Sequence, residues 1–84
     1  MYTVYVLYSE RYNKIYIGYT SALEDRLQSH NHLATKGYTI KFRPWDLVFT
    51  EEFHSKSEAL KREKALKSGQ GRAYVWSVIS ERYH

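Results

Sequence analysis

A chain of 84 residues with nine Tyr, two Trp, three Phe and only one Pro and four Gly fits a single domain spanning 1–84, with a modest core; this excludes disorder and separate catalytic and binding domains. With no cysteine, disulfides, thiol chemistry and Cys-ligated zinc are excluded; with no run of eighteen apolar residues and no leader-like start, the reading is a cytoplasmic protein with no membrane association. The net charge of +4 sits between Lys56 and Arg72, where Lys56, Lys61, Arg62, Lys64, Lys67 and Arg72 face only Glu58 and Glu63, a balance that suits a polyphosphate partner or a solvated helix face.

Tyr2 to Ser9 carries Tyr, Val and Leu on both alternation phases, as a strand covered on both faces does. Polar Glu10 to Asn13 predicts a turn, and Lys14 to Tyr19 a strand pairing back as a hairpin. Ser21-Ala22-Leu23-Glu24 has capping-box spacing and predicts a helix from near Ala22 to about Ala34, stopped by Lys36-Gly37. Tyr38 to Pro44 reads as loop, and Asp46 to Phe53 as a third strand. Ser55-Lys56-Ser57-Glu58 repeats the capping box ahead of a helix ending near Gly69. Gly69-Gln70-Gly71 then reads as a hinge, and Arg72 to Glu81 as a last short helix. The order ββαβαα predicts an α+β fold: a small three-stranded antiparallel sheet flanked by about three helices.

Two tyrosines and three charged or polar groups mark candidate chemistry. In the hairpin, a turn centred near Arg11 and Tyr12 puts Tyr5 and Tyr16 on one sheet face as neighbours, and Gly18 lets a ligand or another backbone approach. At 100° per residue the first helix carries Arg26 and His30 inside the apolar arc of Ala22, Leu23, Leu27 and Leu33, and the second carries Glu63 amid Ala59, Leu60 and Leu66. Five groups, Tyr5, Tyr16, Arg26, His30 and Glu63, are thus aimed at one region. Inward charges need partners or a cleft, and a plain Arg26 to Glu63 ion pair is the competing explanation. His30 and His32, two apart on a helix, point their rings to different faces and make a poor zinc pair.

Thr3-Val4-Tyr5 and Tyr16-Ile17-Gly18, followed by Leu23-Glu24-Asp25-Arg26-Leu27 with His30-Asn31 and by Ser57-Glu58-Ala59-Leu60 leading to Glu63, resemble the GIY-YIG nuclease superfamily. The likeness is greatest to its small single-domain bacterial members, and it covers essentially the whole chain. The resemblance implies metal-dependent cleavage of a DNA phosphodiester; with no room for a sequence-reading domain, the expected substrate is branched or single-stranded DNA in repair or recombination, or DNA taken non-specifically. It implies that Glu63 anchors one divalent ion, Mg2+ or Mn2+, that Arg26 holds the scissile phosphate, and that Tyr5 acts as general base with the neighbouring metal and cation favouring its phenolate. Tyr16 then orients water or phosphate, and His30 carries a proton or binds phosphate. Tyr19, Lys56, Arg62, Lys67 and Arg72 are the candidate nucleic-acid contacts, and a partner protein could target the domain.

The sequence departs from the family pattern in three places. Thr3 and Val4 replace the Gly and Ile of the first motif, Tyr19 stands where some relatives have lysine, and no asparagine follows Asn31, where many members place one near the end. Lys67, Ser68 or Arg72 are the available substitutes. The alternative function is a non-catalytic nucleic-acid-binding module that keeps the fold, and behind it stands self-association through the aromatics.

Overall fold

In the computed structural model, which describes residues 1–33 and 37–83, the first strand is the central one: β1 (Tyr2–Ser9) lies between β2 (Lys14–Thr20) and β3 (Asp46–Phe53), antiparallel to both. Its central place explains its composition, since Val4 to Ser9 are all buried and apolar side chains are needed on both phases. The β1–β2 register pairs Tyr5 with Gly18, Leu7 with Tyr16 and Ser9 with Lys14. The hairpin turn is closed by Tyr8, whose hydroxyl donates to Asn13 Oδ1 at 3.0 Å, and Asn13 takes the positive φ of 55° that Asn tolerates better than most residues.

Alternation then builds two cores. Val4, Val6, Tyr8, Ile15, Ile17 and Val48 face α2 (Lys56–Lys67) and α3 (Gly69–Arg82), which supply Ala59, Leu66, Val75 and Ile79. Tyr5 and Leu7 face the other way, onto Trp45, with Tyr16, Leu23, Leu27 and Phe42 packed around them. The predicted ββαβαα order and antiparallel sheet therefore hold, with β3 running from Asp46 to Phe53 as expected. Ser55 caps α2 as predicted: its Oγ accepts from Glu58 N at 3.2 Å and donates to Glu58 Oε1 at 3.0 Å.

Three expectations are corrected. The first helix, α1, spans only Leu23–Gln28, and the chain continues as a π-helical turn, Ser29–Leu33. Its N-cap is Ala22, whose methyl side chain cannot accept a hydrogen bond, so the expected Ser21 box does not form; Thr20 Oγ1 takes the Ala22 N–H at 3.0 Å. The expected end near Ala34 and the stop residue Lys36 lie outside the described residues, while Gly37 sits at φ 113°, open to glycine. Tyr38 to Phe42, read as loop, is a 3-10 helical turn. Gly69-Gln70-Gly71 is no hinge but the first turn of α3, capped by Ser68 Oγ, which accepts from Gly71 N at 3.3 Å. A Cβ on Gly71 would collide with the Ala65 carbonyl and the Leu66 backbone, so glycine there serves the close approach of α3 to the end of α2.

Candidate active site

The hydroxyl of Tyr5 is the centre about which the polar groups gather. It is 2.9 Å from His30 Nε2, and the Tyr16 ring stacks on the same side at 6.2 Å from Tyr5 and 4.7 Å from His30. Room for this comes from Gly18, opposite Tyr5 in the register: a Cβ there would stand 2.7 Å from the Tyr5 hydroxyl oxygen and 3.2 Å from Tyr16 Cε1. Strand parity thus puts Tyr5 and Tyr16 together, as the sequence predicts.

His30 reaches Tyr5 from the π-helical turn, which long-range contacts hold in place. Arg43 donates from Nε to the His30 carbonyl at 2.6 Å and from a terminal nitrogen to the Ser29 carbonyl at 2.9 Å. Asn31 and the Trp45 backbone pair reciprocally, Trp45 N donating to Asn31 Oδ1 at 2.7 Å and Asn31 Nδ2 to the Trp45 carbonyl at 3.1 Å. On its far side, His30 Nδ1 is 3.0 Å from Thr39 Oγ1, and Trp45 Nε1 donates to the Thr39 carbonyl at 2.8 Å. Thr39, Asn31, Arg43 and Trp45 are site-building residues that sequence reasoning missed. The one available signal was a tryptophan directly after the proline of an aromatic, basic stretch.

Tyr5, His30 and Thr39 form a line of three hydrogen-bonding groups in which the imidazole, when neutral, donates at one end and accepts at the other. Burial lowers the His30 pKa below its ordinary 6.5, and the Arg26 and Arg43 charges lower it further, so the ring is neutral at pH 7 and can accept a proton. Burial raises the Tyr5 pKa above its ordinary value, with the Tyr16 and Glu63 charges adding to the rise and Arg26 opposing it. Without a bound metal, desolvation outweighs Arg26, and Tyr5 is protonated at neutral pH. Tyr5 is also 1% exposed, closed to solvent, whereas Tyr16 beside it is half-buried.

The five residues do not all come from one face. Arg26 lies exposed at the rim, because α1 turns Leu23 and Leu27 to the core instead. Glu63 belongs to α2, on the opposite face, yet its charge acts on the Tyr5 hydroxyl. No Arg26 to Glu63 ion pair forms among the described residues; Glu63, with its side chain 14% exposed, meets Lys67 at 3.8 Å. Two clefts mark the ends of β2. One, of about 410 Å³, is lined by Tyr2, Tyr19, Arg26 and Lys56, and the other, of about 330 Å³, by Tyr16, Tyr38, Lys67 and Arg72. Of the candidate nucleic-acid contacts, Arg62 stands apart: its guanidinium is held in a bidentate pair by Glu51 of β3 at 2.7 and 3.1 Å.

The His30 shift has a consequence for stability. In the unfolded chain this histidine titrates near 6.5, in the folded one lower, so the unfolded state binds the extra proton between the two values. Stability is full above pH 6.5 and declines as pH falls through that window. Denaturant melts at about pH 7.5 and about pH 5.5 should show a smaller acid loss in His30→Gln than in the wild type; equal losses would contradict the buried neutral ring.

Comparison with known proteins bears on this arrangement. Residues 1–74 match the family model of the GIY-YIG catalytic domain. A UPF0213 protein of Staphylococcus haemolyticus is 45% identical over 56 residues, 67% of this chain and 68% of that protein. Another, of Staphylococcus saprophyticus, is 44% identical over 54 residues, 64% of this chain and 66% of that protein. The solution NMR structure of a UPF0213 protein of Bacillus halodurans superposes with a TM-score of 0.55 at 29% identity, covering 93% of this chain and 85% of that one.

Proposed function

Because the chain belongs to the GIY-YIG family, whose fold is of the nuclease type, we propose that it is an endonuclease hydrolysing DNA phosphodiester bonds, selective for single-stranded or branched DNA in repair or recombination. The observation that carries this reading is the Tyr5 hydroxyl bonded to a neutral histidine, with Arg26 and Glu63 acting on it from two sides. A structural tyrosine needs one partner, not a relay and two opposed charges.

A divalent ion fits the donor set in a limited way. Among the described residues no three His, Asp or Glu cluster, but the Glu63 carboxylate is mostly buried with only a loose lysine contact. Such a single hard-oxygen ligand suits an ion that keeps most of its waters, Mg2+ or Mn2+, and when bound it supplies positive charge beside the phosphate. Arg26, exposed at the cleft mouth, holds the scissile phosphate and offsets its charge. The half-buried Tyr16 ring lies between solvent and Tyr5, and the reaction requires one water at the Tyr5 oxygen. That water attacks phosphorus, its proton passes to the Tyr5 oxygen as Tyr5 gives its own proton to His30 Nε2, and Thr39 holds the far nitrogen. The bond from phosphorus to the leaving sugar oxygen breaks, and that oxygen takes a proton from solvent.

Labelled single-stranded, duplex and branched DNA incubated with and without Mg2+ tests the reading; cleavage of single-stranded or branched DNA only with the ion is the expected result. Binding without cleavage of any of them would instead give the non-catalytic module. The phosphate contacts are read from salt. With Arg26, Lys56, Lys67 and Arg72 engaged, log affinity should fall against log salt with a slope of about −3, at roughly −0.7 to −0.9 per contact. Lys67→Ala or Arg72→Ala should each flatten the slope by about one contact, whereas Arg62→Ala should leave it unchanged because Glu51 already holds that guanidinium. A flat salt response in the wild type would mean that the basic residues are solvated surface.

A further inference from the structure

Beyond the five site residues, a second group of aromatics reaches solvent. Tyr12 is 42% and Tyr38 47% exposed, though each is held by neighbours: Tyr12 meets Phe42 at 5.5 Å, and Tyr38 meets Phe42 at 4.9 Å and Trp45 at 6.5 Å. Trp45 in turn meets Tyr16 at 6.3 Å, so the exposed rings are fastened to the site through a continuous aromatic row. Cations lie over them, Arg11 5.5 Å above the Tyr12 ring and Lys14 5.7 Å above Phe42. Tyr38 also forms one wall of the 330 Å³ cleft whose other walls carry Tyr16, Lys67 and Arg72. A half-exposed Tyr38 that shares this cleft with Lys67, Arg72 and Tyr16 of the candidate catalytic centre supplies the parts of a nucleotide site: a stacking face and phosphate charges.

We propose that this cleft holds one unpaired nucleotide next to the scissile phosphate, its base stacked on Tyr38 and its phosphate on Lys67 and Arg72, so that Tyr38 selects single-stranded over duplex DNA. The proposal rests on the nuclease reading and names the feature of the substrate that the site selects. Stacking is indifferent to sequence, because every base offers a π-face, but a base inside a duplex is already stacked and cannot enter. A second copy of the chain is the less suited occupant. A two-fold interface through this patch would set Arg11, Lys14 and Arg72 against themselves.

The test uses DNA without divalent ion, so that nothing is cut. A single-stranded oligonucleotide carrying 2-aminopurine is titrated with protein, and a duplex of the same sequence without 2-aminopurine is followed by anisotropy through an end dye. The expected result is a change in 2-aminopurine emission on binding, an affinity for single strand about tenfold weaker in Tyr38→Ala, near wild-type affinity in Tyr38→Phe, and duplex affinity within twofold throughout. Circular dichroism checks that the variants are folded, as the half-exposure of Tyr38 leads one to expect. Equal single-strand affinity in wild type and Tyr38→Ala, or a parallel loss for both forms of DNA, would overturn the proposal. So would a wild-type dimer in sedimentation that Tyr38→Ala dissociates. Failure to cleave with Mg2+ would sink the nuclease reading and leave this binding result standing, so the two failures are separable.

Discussion

Glu63→Gln should abolish cleavage, by roughly 10³-fold or more, while leaving the fold intact. The substitution keeps the size of the side chain and much of its hydrogen bonding but removes the charge that holds a divalent ion. Its stability cost is small because the pair it breaks is weak. Lys67 is 3.8 Å away on the next helical turn and half exposed, a geometry that contributes at most about 0.5 kcal/mol. DNA binding in metal-free buffer should survive or tighten slightly, as one negative charge near the phosphate has gone. Had Glu63 been the buried partner of Arg26, the same change would strand a guanidinium and cost about 3 kcal/mol, but Arg26 is exposed and the two form no ion pair. Gel assays and thermal melts on one preparation decide the matter. A large drop in melting temperature with Mg2+-dependent nicking retained would make Glu63 a structural residue.

Gly18→Ala should damage stability and catalysis together. The added Cβ would meet the Tyr5 hydroxyl oxygen at 2.7 Å, its Cζ at 2.8 Å and Tyr16 Cε1 at 3.2 Å. Tyr5 cannot yield freely, being 1% exposed and tied to His30. Overpacking of this kind costs about 1–3 kcal/mol, and a shift of about 1 Å in a catalytic group costs on the order of 100-fold in rate. We therefore expect a lower melting temperature together with a loss of at least about 100-fold in cleavage, and a loss of the Tyr5–His30 contact visible in the imidazole proton spectrum. An active, fully stable Gly18→Ala would mean that the hydroxyl position of Tyr5 is immaterial.

The parts of this molecule that were legible in the sequence are those fixed locally. Alternation typed β1 to β3, the Ser55 box placed the start of α2, and strand parity brought Tyr5, Tyr16 and Gly18 onto one face. What could not be read depends on residues far apart in the chain. A helical wheel run from Ala22 to Ala34 assumes an unbroken α-helix, but the helix gives way to a π-helical turn after Gln28, held by Arg43 and by the Asn31 to Trp45 pair. His30 still arrives at Tyr5, but by that route, and Arg26, though exposed, acts on the same hydroxyl by charge and hydrogen bonding. Charge counting could not tell Arg62, held by Glu51 across the fold, from Lys67 and Arg72, which share a cleft with Tyr16 and Tyr38. Parity says which face a tyrosine is on but not how deep it lies, so the closure of Tyr5 and the rise in its pKa were beyond sequence reading.

In the proposed reaction the buried Tyr5 hydroxyl, relayed through His30, takes the proton of the attacking water. The most direct measurement is single-turnover cleavage of a single-stranded or branched DNA in Mg2+ by wild type and by Tyr5→Phe. That variant removes one oxygen and keeps the ring that packs on Leu7 and Trp45. Tyr5→Phe should lose cleavage by at least about 100-fold with DNA affinity and melting temperature close to wild type. Cleavage by Tyr5→Phe at the wild-type rate would contradict that role and leave Tyr5 as a core residue with a satisfied hydroxyl.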